Sequence, residues 1–137
     1  MRLITRSDFD GLVCAVLLQE VEQIDAVEFV HPKDVQDGKI AVGPNDILTN
    51  LPYQQGIGLW FDHHSSEIIR NQDTVSYRGR FEIAPSAARV CARRKEVNSS
   101  FTSWRTFGSI FAHVSCLFAS FVRGVSPLFS ASRRAGA

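Results

Sequence analysis

Cysteine is scarce and scattered: Cys14, Cys91 and Cys116 are the whole complement of the 137 residues, and no two stand in a CxxC or other close spacing. That excludes a disulfide framework or a cysteine-rich zinc module and suits a reducing cytosol, with Cys14 filling an apolar run as a small hydrophobe. No glycine-rich phosphate loop of the Walker or dinucleotide type occurs, so nucleotide binding through such a loop is excluded. Long apolar runs are missing as well. Residues 109–122 come nearest, with His113 inside and Arg123 at the end, and fall short of the roughly 20 residues a bilayer span requires. A buried or interfacial helix is expected there. Asp8 and Asp10 interrupt the N-terminus too early for a secretory signal, so the expectation is a cytoplasmic protein with no membrane partner.

Acidic residues are absent from residues 97–137, which instead hold nine serines and six phenylalanines. The overall charge of +1 hides a division: residues 1–82 carry 7 Lys/Arg against 13 Asp/Glu, a net of −6, while residues 83–137 carry 8 Lys/Arg and the single acid Glu96, a net of +7. The two parts read as different compositions joined together. Residues 1–91 are expected to form a partial α/β domain, and residues 92–137 an atypical basic Ser/Phe-rich tail.

What is present in the first part is strand and helix in alternation. Residues 2–6 are β-prone, Ser7-Asp8-Phe9-Asp10-Gly11 is a loop, and residues 12–18 predict a buried helix of about three turns. Residues 26–30 predict a strand stopped by His31-Pro32. Residues 34–42 read as a connection with a short strand at 39–42. Further strands are expected over 46–51, closed by Pro52, and over 57–61, after a turn at Gln54-Gln55-Gly56. Residues 71–80 read as a polar loop, and Pro85 followed by alanines predicts a helix. Near-continuous apolar strands predict a mostly parallel, Rossmann-like sheet flanked by helices, with functional groups at the carboxyl ends of the strands.

Both acidic clusters fall at such ends. In extended backbone Asp8 and Asp10 would point to one side and share a cation, with Gly11 turning the chain into the helix; a solvated loop with Asp10 as helix cap is the alternative for this motif alone. Asp62-His63-His64 is more specific. Three consecutive side chains able to bind metal or phosphate close an apolar strand, where unpaired ionisable groups would cost several kcal/mol. The remaining polar candidates are weaker: His31 reads as a strand-end residue, His113 as a hydrogen-bonded core or interface histidine, and Arg93-Arg94-Lys95 and Arg133-Arg134 as solvated surface.

Ile4-Thr5-Arg6-Ser7-Asp8-Phe9-Asp10-Gly11, Asp46-Ile47-Leu48-Thr49-Asn50-Leu51-Pro52 and Trp60-Phe61-Asp62-His63-His64 resemble, in order and separation, the first three motifs of the DHH phosphoesterases, and within them the exopolyphosphatase-related or RecJ-like branch. The resemblance implies a metal-dependent hydrolase of polyphosphate, oligonucleotide or dinucleotide, using a manganese or magnesium pair and a metal-activated water. It implies that Asp8 and Asp10 ligate one metal each and that His63 is an imidazole ligand. His64 would face the substrate phosphate while Asp62 orients the histidines from behind. Arg6 and Asn50 would contact substrate.

The chain departs from that pattern at three points. Arg6 stands where the family has a histidine, and guanidinium grips phosphate but cannot ligate metal. Asn50 stands where the family has a bridging aspartate, and the family's later aspartate ligand is missing, Asp73 being the last aspartate in the chain. An incomplete binuclear site with weak or absent hydrolysis is therefore expected. The tail reads as frameshifted or replaced, with a divergent basic tail as the alternative. A non-catalytic phosphate- or nucleotide-binding protein and a non-functional gene fragment are the competing readings.

Overall fold

Alternating burial along three short strands sets the architecture. Leu3, Ile47 and Phe61 are buried in one apolar cluster and their neighbours Ile4, Leu48 and Trp60 in another, because successive side chains of a strand point to opposite faces. Both faces of the sheet are therefore covered. Each fully buried Leu or Ile stabilises such a core by about 1.5–3 kcal/mol.

A computed structural model describes residues 1–71 and 76–98, the last four as helix backbone only. Asp73, the helix expected over 109–122, Cys116 and the rest of the tail lie outside the described residues. The elements are β1 (Arg2–Arg6), α1 (Phe9–Gln19), β2 (Ala26–Val30), α2 (Pro32–Gln36), β3 (Asp46–Thr49), β4 (Leu59–Asp62), α3 (Ser66–Arg70), β5 (Gly79–Phe81) and α4 (Ala87–Asn98). All five strands are parallel, in the order β2-β1-β3-β4-β5. The α/β sheet expected from the sequence is thus what forms.

Several local expectations are corrected. No strand forms over residues 39–42; instead Pro32 opens the short helix α2, and His31 is not a bare strand end but its cap, its Nδ1 accepting the Lys33 N–H at 3.2 Å. The loop expected over 71–80 ends in a fifth strand. β5 escaped notice because Gly79 reads as a turn residue, yet at φ +122° it lets the chain run against β4, where an added Cβ would lie 1.9 Å from the Trp60 carbonyl oxygen. Cys14 and Cys91, far apart in sequence, meet across the α1–α4 contact; the hydrogen bond between them and then burial push the Cys14 thiol up. α4 continues through residue 98, past the point where the composition changes.

At the sheet's opposite rim from the acidic clusters, Arg2 of β1, which lies between β2 and β3, clamps both neighbours. Its Nη2 donates to Asp46 Oδ2 at 2.7 Å on β3, and its Nη1 to Glu28 Oε2 at 3.2 Å on β2. The Arg2 guanidinium, helped by the Gly43 N–H, holds the Asp46 carboxyl below the usual carboxylate range despite its burial. A folded-state pKa below the unfolded value stabilises the fold above the unfolded pKa of about 3.9, and that contribution disappears as pH falls through the folded value. Asp46→Asn is expected to cost about 1 kcal/mol near neutral pH, since Arg2 is partly exposed and the pair partly screened. Urea denaturation at about pH 7 and about pH 3 tests this: the gap between parent and variant should shrink at the lower pH, and an undiminished gap would refute the assignment.

Candidate active site

Parallel strands deliver their carboxyl ends to one rim. From β1 the chain crosses to β2 on one side and returns to β3 on the other, and the point where strand order reverses opens a crevice between β1 and β3. Asp8 follows β1 and Asn50 follows β3, so both line it. Buried threonines fix this rim: Thr49 Oγ1 donates to Thr5 Oγ1 at 2.8 Å, and Thr5 Oγ1 to the Gly11 carbonyl at 3.2 Å.

Asp8 is the N-cap of α1, accepting the Gly11 N–H at 2.8 Å. Asp8 is extended whereas Asp10 is already helical, so the two do not share an extended stretch as the sequence suggested, and the cap is Asp8 rather than Asp10. Nor does Gly11 make a turn. Lying inside α1, it permits close approach to β1, an added Cβ there falling 2.0 Å from the Arg6 carbonyl oxygen.

The two aspartates serve different partners. Asp8 Oδ2 pairs with Arg6 Nε at 2.8 Å, and Asp8 Oδ1 also accepts the Asn50 Nδ2–H at 3.1 Å. Asn50 sits at φ +55°, a backbone region asparagine tolerates better than most residues. It is buried, and its Oδ1 has no hydrogen-bond partner. Asp10 reaches instead to the start of α4, where Oδ2 accepts the Ala87 N–H at 2.8 Å and Oδ1 the Ala88 N–H at 3.0 Å. Asp10 Oδ2 also lies 3.7 Å from His63 Nε2.

The histidines are oriented separately. His63 Nδ1 meets the Ala84 carbonyl at 2.9 Å; a carbonyl only accepts, so Nδ1 carries a proton and Nε2 is the nitrogen that faces Asp10. His64 Nδ1 bonds Asp62 Oδ1 at 2.8 Å, so Asp62 orients His64 alone, not both histidines. Asp62 is fully buried and its Oδ2 is unpartnered. Burial pushes its carboxyl up, partly offset by the His64 hydrogen bond.

The donor set fits one divalent cation. Asp10 and the Nε2 of His63 are a carboxylate and an imidazole facing each other, a mixed set that manganese, zinc and similar ions accept. One ligand atom each from Asp62, His63 and His64 also fall within 4.8 Å of one another, but burial keeps Asp62 behind His64. A second cation fits poorly, because the Arg6 guanidinium already neutralises Asp8 and Asn50 brings a neutral amide. Sequence reasoning missed Ala84, whose carbonyl sets the His63 tautomer, and Arg70, which lines the same pocket as Arg6, Asn50 and His64. Backbone groups leave no mark in a sequence, and a lone arginine at a helix end is ordinary.

The parallel sheet presents two aspartates, an oriented imidazole and an Asp–His pair at its switch point, and these come from the motifs that resemble the DHH phosphoesterases. No protein-family model matches the chain, and no curated protein matches it. Among solved structures it is similar to PggH, a pGpG-specific phosphodiesterase from Vibrio cholerae, at 44% identity and a TM-score of 0.58. The match covers 81% of this chain, a larger share than residues 1–91 make up, and 34% of that protein. The chain thus spans about a third of its relative's length. The likeness supports the DHH-type phosphoesterase class, but not the exopolyphosphatase-related or RecJ-like branch to which the motifs pointed.

Asp10 has a structural role besides any chemical one. Asp10→Ala removes both acceptors from the first N–H groups of α4 and is expected to destabilise the protein by about 1–2 kcal/mol, whereas Asp10→Asn keeps one acceptor oxygen and costs less. Thermal melts of the two variants check this; an Asp10→Ala protein melting with the parent would show that the contact does not hold α4.

Proposed function

We propose that this chain is the cation-binding part of a DHH-type phosphodiesterase acting on a short nucleotide, with a dinucleotide as substrate. The observation that carries the reading is the pairing of Asp10 with a histidine whose other nitrogen is held by a backbone carbonyl, 3.7 Å between carboxylate and imidazole. The similarity to a pGpG-specific phosphodiesterase supports the substrate class.

Asp10 and His63 would hold a manganese or magnesium ion, with Asp8 adjoining. A cation bound there supplies a water of lowered pKa and neutralises phosphate charge. Around it, His64 lines the crevice with its Nδ1 bonded to Asp62, and its Nε2 would donate to a phosphate oxygen when the ring carries a proton on both nitrogens. Arg6 adds a planar guanidinium on the same side. Because Arg6 and Asn50 replace ligands with a cationic and a neutral group, turnover is expected to be slow.

The same substitutions favour a second reading. With Arg6 2.8 Å from Asp8 and the Asn50 amide on Asp8, the crevice is neutralised without a metal pair and would bind a nucleotide phosphate without cleaving it. Incubation with pGpG and manganese, followed by chromatography of the nucleotides, distinguishes the two. Hydrolysis by the parent, reduced at least about tenfold in Asp10→Asn and His63→Ala, is the expected result. Equal product from parent and variants, or none from any, would reject the enzymatic reading.

A further inference from the structure

Beside the switch point the rim opens into a pocket of about 130 Å³ whose wall carries Arg6, Asn50, His64 and Arg70. A second depression adjoins it, shares Glu67 and Arg70 with it, and is walled further by Tyr53 and Gln54. Together they form a groove leading from His64, whose ring lies against that of His63, past two guanidinium groups.

The acids of this groove are withdrawn from it. Asp62 is buried behind His64, and Glu67 is 3% exposed, its carboxylate occupied by the Tyr53 N–H at 3.0 Å, Asn71 Nδ2 at 3.0 Å and Arg70 Nη1 at 3.1 Å. What the groove offers a ligand is the remaining N–H donors of two guanidiniums, each backed by a paired carboxylate. Glu67 also fixes Arg70: one of five guanidinium N–H donors is used to pin a side chain that remains half exposed. A pinned, partly exposed guanidinium loses little freedom on gripping an anion, and its planar fork matches two phosphate oxygens.

We propose that Arg70, with Arg6, forms a subsite for a second phosphate, the terminal 5′-phosphate of a phosphorylated dinucleotide, while the internal phosphodiester lies at Asp10, His63 and His64. The proposal rests on the dinucleotide reading above and adds a discriminating group to it. Such a subsite distinguishes pGpG from GpG, which lacks only the terminal phosphate and with it a charge of about −1.5 to −2 at neutral pH. Arg70 is then a specificity-determining residue and Glu67 its positioning residue.

Calorimetric titration of the full chain with pGpG and with GpG, under a chelator so that nothing is cleaved, reads the subsite directly. The parent should bind pGpG at least about tenfold more tightly, and Arg70→Gln should reduce that ratio at least about fivefold. Arg70→Lys, which keeps the charge beside Glu67 but not the fork, should fall between; it also serves if Arg70→Gln fails to fold. Equal affinity of the parent for the two dinucleotides, or an Arg70 variant that weakens both in the same proportion, overturns the subsite while leaving the hydrolysis assay standing. A parent that binds neither dinucleotide and cleaves neither with manganese overturns the subsite and the dinucleotide reading together.

Discussion

Asp10 is the contact on which the rest of the site depends. Its carboxylate accepts the first two N–H groups of α4, at 2.8 and 3.0 Å, where the helix's partial positive charge favours an anion. That contact joins the start of α1 to the start of α4 and sets the segment just before α4 beside the rim. The Ala84 carbonyl in that segment orients His63, which turns its free nitrogen back toward Asp10. One acidic side chain therefore fixes a helix and also faces an imidazole whose tautomer that helix's approach determines.

The inner strands of the sheet were legible because both of their faces are buried. Residues 2–6 and 26–30 read as strands and are β1 and β2, since short apolar runs bounded by Asp-rich or proline-containing breaks leave few other structures. β5 was not legible: three residues, two of them glycine and arginine, have no strand signal and owe their extension to pairing with Trp60, Phe61 and Asp62. The same holds for α2, where Pro32 both ended a strand and opened a helix.

Within the site, residue identity was legible and partnership was not. Asp8, Asp10, His63 and His64 stand out by type and position, and all four reach one rim because parallel strands end together. Which group faces which depends on contacts such as Asp10 with Ala87, 77 residues apart. Arg6 and Asn50 read as lost ligands; the structure gives the loss a physical form, with a guanidinium and an amide taking up the charge of Asp8 that a second cation would otherwise balance. The neighbouring Arg70 had no signature until Glu67 was seen buried beneath it.

The central claim is that Asp10 and His63 bracket a single cation, with His64 turned to the substrate. Electron spin-echo modulation of manganese bound to the full chain tests it most directly, because an imidazole ligand imprints a nitrogen coupling on the ion. The account predicts nitrogen modulation in the parent and in His64→Ala and its loss in His63→Ala. Modulation that survives His63→Ala, or that vanishes only in His64→Ala, would contradict it.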